Sequence, residues 1–344
     1  MWEILGLLLS LGLVGAIVQR QRLRAWQDLA ASCGLEGVQV STSKLFWVRL
    51  EARAGPARIH IESSSGSKGY TLEVLAAFPR QPGVSSSLKI RHRHGPGAYD
   101  LEVGDELFDR RFSVEGSSRL MTTLLDEEMR RLFLGASFEG ELEISGSEIR
   151  LGTFDRKLRE LLPLLLALIR RLTEEENTVE RLVRNARQDP AAGVRLRNLL
   201  ALIREHPGDA RTLETLRAAC SDPGPKVRLR SALELGPEHR DVLFELAESL
   251  EDDDASAEAV SILSRELSFE RTKAILDRAL DRSLPRTAQA CLEALGEKGA
   301  SPGQLSVASP EAGQLALAQD EAGQLSLAPD PPPREREAPD GRRA

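Results

Sequence analysis

The stretch Leu213-Glu-Thr-Leu-Arg-Ala-Ala-Cys-Ser-Asp-Pro-Gly-Pro-Lys-Val-Arg-Leu-Arg-Ser-Ala-Leu-Glu-Leu-Gly236 decides the fold of the C-terminal half of this chain. It begins with helix-forming residues, breaks at an Asp-Pro turn, restarts at a Val-Arg pair and stops at Leu-Gly. Proline cannot continue a helix, and glycine commonly ends one. The stretch therefore predicts two helices joined by a tight turn, which is one unit of a helical repeat.

Three landmarks of this unit recur along the chain: an Asp before proline, an Arg after valine, and a Leu-Gly pair. They stand at Asp189, Arg195, Asp222, Arg228, Leu235, Gly236 and Gly296. The Asp and Arg landmarks repeat after 33 residues, and the glycine returns after 60. We expect about four helix pairs over residues 177–299, each too small to bury its apolar face without stacking on its neighbours.

The Asp-Pro turn, the Val-Arg opening and the Leu-Gly end resemble HEAT repeats. The resemblance implies an α-solenoid with a concave surface that binds a partner. It also implies that Arg195 and Arg228 stabilise neighbouring turns through Asp189 and Asp222, while Leu235 is expected in an apolar layer between helices. The alternative is an ordinary bundle of the same helices, and the 33-residue offset favours the solenoid.

The region before the repeats, residues 34–176, has a different periodicity. Apolar and polar residues alternate in several segments separated by Gly, Pro and Ser clusters, which predicts antiparallel strands. The predicted strands are 44–53, 57–62, 70–75, 88–93, 108–114, 138–144 and 148–151. Helices are predicted over 118–134 and over 155–172, the second containing Pro163. Strands followed by segregated helices indicate an α+β domain.

The segment from Val103 to Gly116, with the later Leu-Leu-Asp-Glu-Glu-Met-Arg-Arg-Leu-Phe-Leu, resembles a domain of unknown function that follows membrane anchors in bacterial proteins. The N-terminus agrees with such an anchor, because the 15 residues from Ile4 to Val18 are uncharged. Arg20, Arg22 and Arg24 follow, and flanking basic residues stay on the cytoplasmic side of a span. Residues 1–19 are therefore predicted to be a membrane anchor and residues 20–33 a juxtamembrane helix. A cleaved signal peptide is the competing interpretation.

The last 45 residues, 300–344, contain a decapeptide repeat. Its copies begin at Gly303, Gly313 and Gly323, and a Pro-rich segment follows. Low aromatic content with Pro, Gly and acidic residues predicts a disordered tail. The repeated Leu-x-Leu or Leu-x-Val motifs are either tandem docking sites or a low-complexity linker.

The composition limits the classes of function. The chain has 344 residues, 41% of them hydrophobic and 4% aromatic, which favours packed helices with a core of Leu, Ala and Val. A net charge of −7 and a pI of about 5.5 argue against nucleic acid as the partner. The three cysteines are far apart, so neither a disulfide framework nor a zinc site is predicted.

Few residues suggest chemistry. His60, His92 and His94 lack carboxylates at ligand spacing, so a metal site is not predicted. Three acids close in sequence, Asp105, Glu106 and Asp109, are interpreted as a solvated turn paired with the adjacent arginines. The acidic run 251–254 is interpreted as a turn that caps the next helix. We therefore expect no catalytic residue, cofactor or metal.

Together these patterns predict a multidomain protein: an N-terminal transmembrane helix, an α+β domain with an antiparallel sheet, an all-α HEAT-like solenoid and a disordered tail. The expected function is that of a membrane-anchored cytoplasmic scaffold or adaptor that binds a protein partner through the array. The alternative is a small-ligand sensor or an enzyme in the α+β domain, regulated through the array.

Overall fold

The alternating segments of the N-terminal half form an eight-stranded antiparallel sheet. The computed structural model describes residues 2–44, 47–66, 69–79, 87–93, 100–136, 138, 140–154, 157–173 and 178–297. The strands are β1 (Glu36–Lys44), β2 (Trp47–Ala54), β3 (Ala57–Gly66), β4 (Gly69–Ala77), β5 (Leu88–His92), β6 (Phe112–Gly116), β7 (Glu141–Ile144) and β8 (Glu148–Phe154).

The strand order is β1-β2-β3-β4-β8-β7-β5-β6. The first four strands follow one another along the chain, whereas β8 pairs with β4 and β7 pairs with β5. The register aligns apolar residues across the sheet, such as Leu50 with Ile61 and Val74 with Leu151. Because side chains alternate between the two faces, this register gives one buried apolar face and one face rich in charged residues.

The buried face is covered by helices. Those of the N-terminal half are α1 (Trp2–Ser32), α2 (Glu106–Arg111), α3 (Ser118–Leu124), α4 (Glu127–Gly135) and α5 (Leu158–Thr173). Four phenylalanines meet in the core beneath β6, with ring centroids 4.9–6.2 Å apart. They are Phe108, Phe112, Phe133 and Phe138. These large side chains join α2 and α4 to the sheet.

Two predictions for the N-terminal half are wrong, because an aspartate starts a helix within each predicted element. The predicted strand 108–114 begins as α2, because the Asp105 carboxylate accepts the N–H groups of Leu107 and Phe108 and so starts a helix. The predicted helix 118–134 is split into α3 and α4, because Asp126 accepts the N–H of Met129 and starts a new helix there. Side-chain capping of backbone N–H groups thus sets both boundaries.

The predicted membrane anchor is also corrected. Among the helices of the described residues, none has an apolar stretch long enough to cross a membrane. The apolar run of 15 residues covers about 23 Å of helix, against a bilayer core of about 30 Å. The same helix, α1, continues to Ser32 and buries Trp26 and Ala30 against the sheet. The transmembrane helix over residues 1–19, and the single-pass localisation with a cytoplasmic bulk that depended on it, are therefore wrong.

Residues 178–297 form four helix pairs. The pairs are α6 (Thr178–Gln188) with α7 (Ala192–Glu205), α8 (Ala210–Ala219) with α9 (Pro225–Leu235), α10 (Arg240–Ser249) with α11 (Asp253–Ile262), and α12 (Phe269–Asp281) with α13 (Pro285–Glu297). The second helices contact one another in sequence: α7 with α9, α9 with α11, and α11 with α13. We call residues 178–297 the helical array. The predicted tail, residues 300–344, lies outside the described residues.

Candidate functional site

Arg195 links two successive turns of the helical array. Its Nε and Nη2 donate to the carboxylate of Asp222 at 2.8 and 2.7 Å. Its Nη1 donates to the carbonyl oxygens of Asp189 and Pro190 at 2.8 and 3.1 Å. A planar guanidinium suits this arrangement, because its donors diverge in fixed directions. Arg195 therefore fixes its own turn through backbone carbonyls and the next turn through a carboxylate.

Arg228 repeats this arrangement one unit later. Its Nη1 donates to the carbonyl oxygens of Asp222 and Pro223 at 2.9 and 3.4 Å, and its Nη2 donates to the Glu251 carboxylate at 2.8 Å. Asp222 also accepts the N–H of Gly224 at 2.7 Å, which shapes its own turn. The contact of each arginine with the following unit depends on an acidic residue that belongs to that unit.

Arg130, on α4 of the sheet region, begins the same series. It donates to both carboxylate oxygens of Asp189 at 2.9 and 2.8 Å, to Asp105 at 2.8 Å and to the carbonyl oxygen of Leu125 at 2.9 Å. Arg130 is 1% exposed, so its charge is fully enclosed by these acceptors. We call the continuous series the Arg–Asp ladder. Its members are Asp105, Arg130, Asp189, Arg195, Asp222, Arg228 and Glu251.

Hydrogen bonds and opposite charges shift the pKa values of three members of the ladder toward the charged form. Burial disfavours the charged guanidinium of Arg130, but the carboxylates of Asp189 and Asp105 outweigh burial and raise its pKa above the ordinary value. Hydrogen bonds to Asp222 likewise raise the pKa of Arg195. For Asp105, partial burial favours the neutral form, yet the bond from Arg130 and the N–H groups of α2 lower its pKa. Arg130, Arg195 and Asp105 are therefore paired charges rather than groups poised to transfer protons.

The Leu-Gly landmarks are not structurally equivalent. Gly236 ends α9 with φ +84° and donates its N–H to Ala232 at 3.1 Å. Gly296, by contrast, lies inside α13. Leu235 packs only partly buried against the apolar cluster of the first two pairs. The 60-residue spacing therefore does not mark the same structural position twice.

The acids and histidines of the sheet region have structural partners. Asp109 accepts the N–H groups of Val103 and Gly104 at 2.7 and 2.8 Å. Burial raises the pKa of Asp109, and those two bonds offset part of the rise. His60 lies on the charged face of the sheet, 3.7 Å from Glu51 and 3.8 Å from a second glutamate. Across the described ranges, no group of three or more His, Cys, Asp or Glu side chains is arranged to hold a metal ion. His94 lies outside those ranges.

Each of the four residues in the acidic run 251–254 forms contacts of its own. Glu251 receives Arg228, and Asp252 caps α11 through the N–H of Ala255. Asp253 accepts the N–H groups of Arg286 and Thr287 at the start of α13, at 3.1 and 2.8 Å. Asp254 pairs with Lys226 at 2.7 Å and with Arg286. The run thus caps two helices and ties three successive units together.

A shallow, open groove of about 370 Å³ lies between α11 and α13. Most of its polar lining is acidic or amide: Asp254, Glu258, Ser261, Arg286, Gln289 and Glu293. Glu293 accepts a hydrogen bond from Gln289 at 3.0 Å, and Arg286 is already paired with Asp254. Glu258 and Glu293 are exposed on facing helices, and among the described contacts neither is in an ion pair. The groove therefore offers two solvated carboxylates on a fixed framework.

Sequence reasoning missed Arg130 and the groove. Arg130 stands 59 residues before Asp189 and lies outside the repeat, so no offset in the sequence points to it. The groove depends on which faces of α11 and α13 meet.

The sequence matches no protein-family model and no curated protein. Function is therefore inferred from the contacts and charges of the described residues.

Proposed function

We propose that this chain is a scaffold or adaptor, and that its helical array is a HEAT-like α-solenoid that binds a protein partner. The observation that carries the proposal is the shallow groove of about 370 Å³ on a stack of helices, in which the Arg–Asp ladder joins the turns of the first three pairs and Asp253 binds the start of α13. Stacked helix pairs form extended surfaces that repeat proteins commonly use for binding. A rigid surface also binds at a lower entropic cost than a mobile one.

The ladder supports the proposal in a second way. Arg130 joins Asp189 of the array to Asp105 of the sheet region through a guanidinium that is 1% exposed. Gly104 and Gly193 are also packed backbone to backbone at this junction, because a Cβ built on Gly104 would meet Gly193 C at 2.4 Å. The sheet region therefore holds the array in a fixed position, as an adaptor requires.

The test is affinity capture with the full chain as bait, followed by quantitative mass spectrometry. The groove variant is the double charge reversal Glu258→Arg/Glu293→Arg. Its matched control is Glu245→Arg, which reverses an exposed glutamate on α10, outside the groove lining. A protein captured equally by the parent and by the control, and lost by the groove variant, supports the proposal.

Two results would contradict it. The first is a captured set that is identical for the parent, the control and the groove variant while all three remain folded by circular dichroism. The second is turnover of a substrate by the purified chain without any partner, which would place the activity in the sheet region instead.

A further inference from the structure

No further inference is drawn: the strongest candidate, the pair of exposed carboxylates of Glu258 and Glu293 in the groove between α11 and α13, belongs to the site already described, and no second feature of the described residues shows which ligand would cover it.

Discussion

Replacing Asp189 with alanine should both destabilise the protein and uncouple the sheet region from the array. The substitution removes the two hydrogen bonds from Arg130, at 2.9 and 2.8 Å, and the bond at 3.0 Å from the N–H of Ala191. Hydrogen bonds to charged groups contribute about 1.5–3 kcal/mol each, and removing one partner of a buried ion pair costs about 3–5 kcal/mol. Arg130 keeps Asp105 and the Leu125 carbonyl as acceptors. We therefore expect Asp189→Ala to lower the free energy of unfolding by about 3 kcal/mol, the lower end of this range.

Urea unfolding measured with two probes checks both effects. The tryptophans, Trp2, Trp26 and Trp47, all precede the array, so fluorescence reports on the sheet region. Far-ultraviolet circular dichroism reports mainly on helices, most of which belong to the array. In the parent the two transitions should coincide, as in cooperative unfolding. In Asp189→Ala they should separate.

A matched control is Arg110→Ala. Arg110 is paired with Glu106 at 3.8 Å, and both side chains are well exposed. Exposed helix pairs contribute about 0.3–0.5 kcal/mol, so this variant should unfold almost like the parent. The reasoning fails if Asp189→Ala loses no more free energy than Arg110→Ala does, or if its two transitions still coincide.

Two further predictions concern the junction and a turn of the array. Gly104→Ala should cost about 2 kcal/mol or more in urea unfolding, because Gly104 has φ +94° and a Cβ there would meet the Gly193 backbone at 2.4 Å. Gly208→Ala, where a Cβ meets nothing within 4 Å, should be nearly neutral, and equal losses for the two variants would contradict this. The Asp209 carboxyl should titrate at about 2 rather than at its ordinary 3.8, because the side chain and the N–H of Arg211 bind it. Its stabilising contribution is present above pH 3.8 and is lost as the pH falls toward 2, and Arg211→Ala should raise the midpoint measured by NMR toward 3.8.

The sequence predicted the features that depend on local spacing. Period-two alternation located most strands, and the Asp-Pro and Val-Arg landmarks located the turns that Arg195 and Arg228 bind. The sequence also associated Asp189 and Asp222 with these arginines, and Arg195 and Arg228 bind their carbonyl oxygens. It did not indicate that Arg195 reaches Asp222 of the following unit, because that contact depends on the stacking distance between units.

The features that the sequence did not predict are of two kinds. Some arise where a helix cap overrides the apolar periodicity, and others depend on contacts between residues distant in sequence. Asp105 caps α2 in a segment whose apolar spacing also fits a strand, and Asp126 caps α4 in a segment whose apolar spacing also fits one longer helix. Apolar periodicity alone does not show where a side chain caps a helix. The insertion of β8 beside β4 cannot be read from the order of strands along the chain. The apolar run of α1 by itself favours an anchor, whereas the whole helix continues to Ser32 and packs Trp26 on the sheet.

The Arg–Asp ladder would keep its charges paired if the array were shortened by one whole unit. Arg130 donates to both carboxylate oxygens of Asp189, and Arg195 donates to both of Asp222, although Arg130 uses Nη1 and Nη2 and Arg195 uses Nε and Nη2. In this respect the junction with the sheet region resembles a junction between units. Deleting the 33 residues 190–222 would place Pro223 directly after Asp189 and leave Arg228 to bind the carbonyl of Asp189. Every remaining charge of the ladder would keep an opposite partner. Loss of one whole unit would therefore leave the charges of the turns paired, whereas loss of part of a unit would leave a buried charge without its partner.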